Sequence, residues 1–289
     1  MKSVIFNNIK WNDLIQYDLP KGIINSESCF FLFKNNSNEL VKIYDYIYGE
    51  YVANKLLTLS CLIESSYELE KYNLILPKSI IVIDNVVNGY SMEYKKNVIN
   101  LSTFLYNDSI YFKTKLHYLK EACSIIENVK NIKPYKQDFL LSDIHEDNFI
   151  LDLSTNKIFA VDIDSCKIAN NKPYTSKIPN TNKVLKNEKF NKYTKDSNNY
   201  IISNIHTENL CMNIMILNFI SNYDINLLDK KEYNNYIDYL NFNGVNSKLC
   251  DSFYSIYKKG NTKSPFEHMN YLYDIKPEIL EYNKILNKR

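Results

Sequence analysis

At 289 residues and a formal net charge of +2, the chain is long enough to bury a sizeable core, and its charge balance argues against nucleic acid as an obligatory partner. Hydrophobic residues are 45% and charged residues 24%; no apolar run reaches the length of a membrane span, and the first residues lack a secretory h-region. The expected setting is the cytoplasm, with no membrane partner.

The six cysteines are scattered without a C-x-x-C pair, which predicts reduced thiols, and the four histidines are too dispersed for a histidine-rich metal site. Abundant Tyr, Asn, Ile and Lys beside scarce Gly and Pro is the bias of an AT-rich bacterial or phage genome. Arg289 is the only arginine, so no residue before it can clamp a phosphate with a bidentate guanidinium.

In chain order, residues 9–18 read as a short helix or strand and 19–22 as a turn. Residues 29–33 (CFFLF) and 39–44 (ELVKIY) predict a β-hairpin over a turn at 34–38. Leu40, Lys42 and Tyr44 then share one face, and Val41 and Ile43 the other. Residues 50–66 carry apolar side chains at 52, 56, 59, 62 and 63, an amphipathic helix. Strands are expected at 79–84 and 89–94, joined by a turn at 85–88, followed by a short helix at 100–108. From 111 to 131, Phe112, Leu116, Leu119, Ala122, Cys123, Ile126 and Val129 mark a strong amphipathic helix that ends before Pro134. His117 is expected on its packed side.

The chemistry concentrates in residues 139–164, FLLSDIHEDNFILDLSTNKIFAVDID. A strand at 139–141 enters a polar loop, and 149–152 and 158–162 form a hairpin over the turn 153–157. That arrangement brings Asp143, Asn148 and Asp162 to one end of a small sheet. Beyond it, residues 167–200 hold eight lysines against Glu188 and Asp196 and read as a basic loop. Residues 204–222 form a markedly apolar helix, and helices follow at about 229–242, 246–258 and 265–286, broken by Gly244, Gly260 and Pro277.

The order D-x-H-x-x-N at Asp143, His145 and Asn148, then a hairpin and Asp162, resembles the catalytic core of the protein-kinase-like superfamily, which includes aminoglycoside and choline phosphotransferases. The resemblance covers about residues 25–222. It implies an α+β, two-lobed fold, with an N-lobe at 1–94 (an antiparallel sheet plus one helix) and a larger, mainly helical C-lobe at 95–289. It implies ATP with Mg²⁺ or Mn²⁺, and γ-phosphoryl transfer to a hydroxyl acceptor of unknown identity, a protein being preferred over a small molecule. Asp143 would orient the acceptor, with His145 supporting the loop or touching the acceptor. Asn148 and Asp162 would hold the metal, and Asp164, in place of the usual glycine, would add a carboxylate.

The V-K-I of residues 41–43 resembles the kinase V-A-I-K strand, so Lys42 would hold α/β-phosphate oxygens and Leu40 would lie under the adenine. Residues 90–94, YSMEY, resemble the fifth strand and hinge. Met92 would then be the gatekeeper, and the backbone from Glu93 through Tyr94 to Lys95 would meet the adenine edge. Glu208 falls near the Asp that normally steadies the catalytic loop.

Four departures stand out. Residues 25–29, NSESC, with only Gly22 nearby, replace the glycine-rich phosphate loop. Lys55 occupies the place of the helix glutamate that pairs with the strand lysine, leaving Glu50, Glu64 or no residue as its substitute. Leu141 and Ser142 stand where His-Arg would precede the catalytic Asp, and A-P-E is missing. These favour a rival reading, a pseudokinase acting as a nucleotide-binding or regulatory module; AMP transfer on the same fold and a two-metal hydrolase built on Asp143, His145, Asp162 and Asp164 are further alternatives.

Overall fold

Short, nearly continuous apolar runs between residues 6 and 93 build a six-stranded sheet. The computed structural model describes residues 3–19, 28–45, 49–132, 139–168, 183–190, 194–195, 203–258 and 261–282. The strands are β1 (Phe6–Ile9), β2 (Leu14–Gln16), β3 (Ser28–Phe33), β4 (Asn36–Tyr44), β5 (Pro77–Ile83) and β6 (Val86–Glu93). Their spatial order is β1-β5-β6-β4-β3-β2, with β1 parallel to β5 and every other pair antiparallel. One face of β4 sends Leu40 and Tyr44 against Tyr90, Met92 and the helix residues Leu59 and Ile63; Val41 and Ile43 pack on the other with Leu14, Ile81 and Ile83. The sheet is therefore apolar on both sides, as its nearly continuous apolar runs require.

Helix α1 (Gly49–Glu64) covers the first of these faces, and a short α2 (Ser66–Leu69) follows. A small sheet of β7 (Val98–Asn100), β8 (Phe149–Asp152) and β9 (Lys157–Ala160) forms next, with β8 central. Helices α3 (Leu101–Leu105), α4 (Phe112–Val129), α5 (Lys183–Lys186), α6 (Ile205–Ser221), α7 (Lys230–Phe242), α8 (Ser247–Tyr254) and α9 (Pro277–Leu280) complete the described elements, an α+β fold. The largest apolar cluster joins α4, α6, α7 and α8 to Phe139, Phe149 and Ile158. Helix α6 is buried on nearly all sides because it is apolar nearly all round. Asn204 caps its start, accepting from the Thr207 amide at 3.0 Å. Two backbone bonds tie β9 to the segment before β5: Ile75 N donates to Ala160 O at 2.9 Å, and Ala160 N to Asn73 O at 3.0 Å.

Several expectations need correction. Asp84 and Asn85 both have positive φ (52° and 62°), so the β5–β6 turn is a tight two-residue hairpin two positions earlier than expected. Residues 139–141 contribute an isolated bridge, Leu140 to Lys167, in place of a strand. His117 is exposed, edge-on to Tyr118, because it sits one position round from the buried Leu116. Pro277 begins α9 where a break was expected, since proline suits the first turn. Residues 266–274 are 3₁₀. The basic segment is described only at 183–190 and 194–195 within 169–202, and the phosphate-loop segment only at 28–29; the remainder of both expectations lies outside the described residues.

Gly89 in β6 lies where the β4 backbone comes closest. A β-carbon there would meet the Lys42 carbonyl oxygen at 1.8 Å, a clash no rotamer relieves. Gly89→Ala is expected to cost about 3 kcal/mol or more and to lower the melting temperature by roughly 6–12 °C. A thermal melt at the wild-type temperature would show that β4 can move aside.

Candidate functional site

Lys42 faces the α1 side of the sheet and is almost fully buried. Among the described residues its ion pairs run to two carboxylates beyond β9. Nζ hydrogen-bonds Asp162 Oδ1 and lies 3.5 Å from Asp164 Oδ2. Asp162 has φ 57°, a left-handed turn that ends the strand direction and starts a 3₁₀ turn, Ile163–Ser165. That turn drives Asp164 into the interior, where the residue is 1% exposed. There Tyr44 Oη donates to Asp164 Oδ2 at 2.5 Å, and Lys55 Nζ pairs with Oδ1 at 3.2 Å. The same Nζ donates to the Asp164 carbonyl at 3.2 Å and to Ser165 Oγ at 3.0 Å.

Two lysines and two aspartates thus form one linked cluster, and their charges are interdependent. Burial opposes the charge on Lys42, but Asp162 and Asp164 outweigh it and hold the ammonium well above its usual range. Burial likewise opposes the Asp164 charge, yet Lys42 and Lys55 hold its carboxyl well below the usual carboxylate range. Asp162 moves the other way. Desolvation raises it, Lys42 works against that, and the neighbouring Asp164 charge adds to the rise. Asp162 nevertheless keeps 41% of its side chain exposed, so it is the carboxylate of the pair that a ligand can reach.

The polar loop is held by a strained reversal. Ser142 has φ 69°, and the Asp143 amide donates to the Leu141 carbonyl at 2.8 Å across it, a γ-turn. Glu208, buried in α6, accepts from the Ser142 amide at 2.9 Å, and Ser142 Oγ hydrogen-bonds Ser203 Oγ. Asp143 follows this turn and is itself buried. Asn148 Nδ2 donates to the Asp143 carbonyl at 2.9 Å, which ties the two ends of the loop and leaves the amide oxygen for another partner. Asp147 is fixed from the other side, Ser102 Oγ donating to its Oδ1 at 2.5 Å and Asn100 Nδ2 to its carbonyl at 2.9 Å. His145 is buried between Asp143 Oδ1 (3.6 Å from Nε2) and Asp147 Oδ2 (3.7 Å from Nδ1), beyond hydrogen-bond reach of either. Burial lowers its pKa, but Asp147, Asp143 and Glu146 together raise it above the ordinary value.

Burial pushes the Glu208 carboxyl up to about 7, against the Ser142 amide that favours its charge. A carboxyl whose folded value exceeds its unfolded value stabilises the fold at acid pH and loses that contribution as pH rises through the folded value. Stability should therefore fall by about 3 kcal/mol between roughly pH 4 and pH 7 through this group. Glu208→Gln, which keeps the acceptor oxygen, is expected to abolish that slope in denaturant unfolding measured across the range. An unchanged slope would assign the titration elsewhere.

A cleft lies between the α1-facing side of the sheet and the loop. Leu40, Lys42, Tyr90, Met92, Val161 and Asp162 line it, together with Tyr17, Glu93, Tyr94, Lys95 and Asn148. It encloses about 110 Å³, less than the roughly 300–1,000 Å³ of a typical small-molecule pocket. Two of its lining residues, Tyr17 and Tyr94, join hydroxyl to hydroxyl at 3.0 Å. The Tyr94 amide, expected at an adenine edge, donates to the Asn38 carbonyl at 3.0 Å. Asn148 and Asp162 offer the cleft oxygen donors only, the set a hard cation prefers. A second cavity of about 320 Å³ lies on the far side of the loop, lined by His145, Glu146, Asp147, Met215 and Asp224. Asp147 borders both.

All the sequence-predicted nucleotide residues thus line one cleft, while Asp143 and His145 sit in the loop beside it. Asp164, expected to add a metal ligand, has its carboxylate engaged by Tyr44, Lys42 and Lys55, which also draws it away from a two-metal hydrolase arrangement. The side chain of Glu50 lies outside the described residues, and Glu64 is no ion-pair partner of Lys42 among those described. Sequence reasoning missed Tyr17 and Tyr44 as parts of the site, and it read Lys55 only as a departure at the helix-glutamate position. Tyr44 carried a signal, sharing a strand face with Lys42 two residues away. Compared with protein-family models the chain matches none, and compared with curated proteins it likewise matches none.

Proposed function

We propose that this chain is an ATP- and divalent-cation-dependent phosphotransferase on a two-lobed, kinase-like fold, moving the γ-phosphoryl group to a hydroxyl. The lobes would be residues 1–94 and 95–289, with the cleft between them. One observation carries the reading: Lys42 and Asp162, 120 residues apart, meet in one ion pair within a cleft that Asn148 also lines. Phosphoryl transfer needs that juxtaposition of a cation and oxygen ligands, because its catalysis is mostly positioning and charge neutralisation.

In this reading Lys42 exchanges Asp162 for phosphate oxygens as nucleotide enters. Asp162 and Asn148 hold a divalent cation, Mg²⁺ or Mn²⁺, which when bound neutralises charge on the phosphates. Leu40 and Met92 receive the adenine, and Asp143 orients the acceptor hydroxyl. The γ-turn at Ser142, held by Glu208, keeps Asp143 in place while the acceptor approaches from the side of the 320 Å³ cavity, past His145. The modest enclosed volume of the nucleotide cleft means that, in this reading, the cleft widens to admit ATP.

The second reading is a nucleotide-binding or regulatory module without transfer. The Tyr94 amide favours its regulatory form, because one amide of the Glu93–Lys95 stretch is already engaged by the Asn38 carbonyl. The deciding experiment supplies ATP labelled at the γ- or the α-phosphate, with Mg²⁺ and a mixed pool of protein and small-molecule acceptors, to wild type, Asp143→Ala and Asp162→Ala. Label from γ alone, lost in both variants, supports transfer. Incorporation from α means AMP transfer, and ATP binding with no label moved favours the module.

A further inference from the structure

Lys55 reverses the charge at the helix position that resembles a glutamate site, and the reversal has a partner. A strand lysine that grips phosphate needs a carboxylate to hold it, and that carboxylate must not be consumed by the metal. Asp162 cannot fill this role once it turns to a cation. Asp164 can: it is buried, its Oδ2 is 3.5 Å from Lys42 Nζ, and the Tyr44 hydroxyl fixes the same oxygen at 2.5 Å. Its other oxygen faces Lys55.

We propose that Asp164 replaces the helix glutamate as the carboxylate that holds Lys42 toward phosphate, and that Lys55 of α1 is the positioning residue that holds Asp164. This rests on Lys42 being the phosphate-binding lysine. Lys55 Nζ makes three contacts on two consecutive residues, the Asp164 carboxylate and carbonyl and the Ser165 hydroxyl, so it fixes the turn as well as the charge. A glutamate at 55 would face Asp164 as a second buried anion, and glycine at 164 would leave Lys55 without its carboxylate. The two departures from the kinase pattern therefore compensate each other. Helix position still governs Lys42, now through a relay of lysine, aspartate and lysine.

The test uses the full chain with Lys55→Met, Lys55→Arg, Asp164→Asn and the double variant Lys55→Glu/Asp164→Asn. MgATP affinity, kcat and KM for γ-transfer, and melting temperature are measured for each. Lys55→Met is expected to lower kcat by about tenfold to a hundredfold, the scale of a misplaced reacting group, with a smaller change in KM. Lys55→Arg should retain most of the wild-type rate, and the double variant should exceed Asp164→Asn in turnover by restoring a direct lysine–glutamate pair. Wild-type kcat in Lys55→Met, or a loss that Lys55→Arg does not spare at equal melting temperature, overturns the relay while leaving the transfer reading intact. If wild type binds MgATP but transfers nothing, the transfer reading fails alone, and the relay is decided by whether Lys55→Met weakens MgATP binding and Lys55→Arg does not. A wild type that binds no MgATP overturns both.

Discussion

Asp164→Ala is expected to destabilise the fold by about 3–5 kcal/mol, the scale of breaking a buried ion pair from one side. The carboxylate lies between Lys42 and Lys55, both buried, and its loss leaves two ammonium groups with too little counter-charge. Lys42 keeps Asp162, and Lys55 keeps a carbonyl and a hydroxyl, which moderates the cost without removing it. Tyr44 also loses its acceptor. A melting temperature lowered by on the order of 10 °C would fit; an unchanged one would mean both lysines reach water. The pH dependence follows from the direction of the shift. A carboxyl depressed in the folded state contributes fully above its unfolded value, about 4, and loses that contribution as pH falls through the folded value. Asp164 therefore stabilises across the neutral and mildly acid range, where Glu208 works in the opposite sense.

Asp143→Ala is expected to reduce γ-phosphoryl transfer by about 10²–10⁴-fold, the range for removing a positioned proton acceptor, with MgATP affinity changed little. In the proposed reading Asp143 serves the acceptor, and it does not line the cleft that holds Lys42 and Asp162. Asp162→Ala should instead weaken MgATP binding, because it removes the proposed cation ligand and the present partner of Lys42. Parallel calorimetric titrations and initial rates separate the two. Equal loss of affinity in both variants would indicate that the loop, not the chemistry, had been disturbed.

Much of the architecture was readable from local pattern. The hairpin carrying Lys42, the helix after it, the β5–β6 pair, α4, the β8–β9 hairpin and α6 all follow from alternation, helical spacing and turn residues, and each fell within a few positions of its expected bounds. Errors came where a single position decides. Asp84 and Asn85 can occupy left-handed turn geometry, so the hairpin closed earlier than the apolar run suggested. His117 lies at the edge of a helical stripe, where one step of 100° separates core from solvent.

The sequence by itself determined the faces of β4, the apolar helix α6 and the spacing of Asp143, Asn148 and Asp162, because these depend on neighbours a few residues away. It also placed Glu208 near the loop, though not on the Ser142 amide. Only the tertiary structure decided what Asp164 and Lys55 do. They are 109 residues apart, and no local periodicity relates them. A left-handed residue at 162 turns Asp164 inward, and a buried carboxylate must then find cations within reach. Long-range charge compensation in a low-dielectric interior settled that choice.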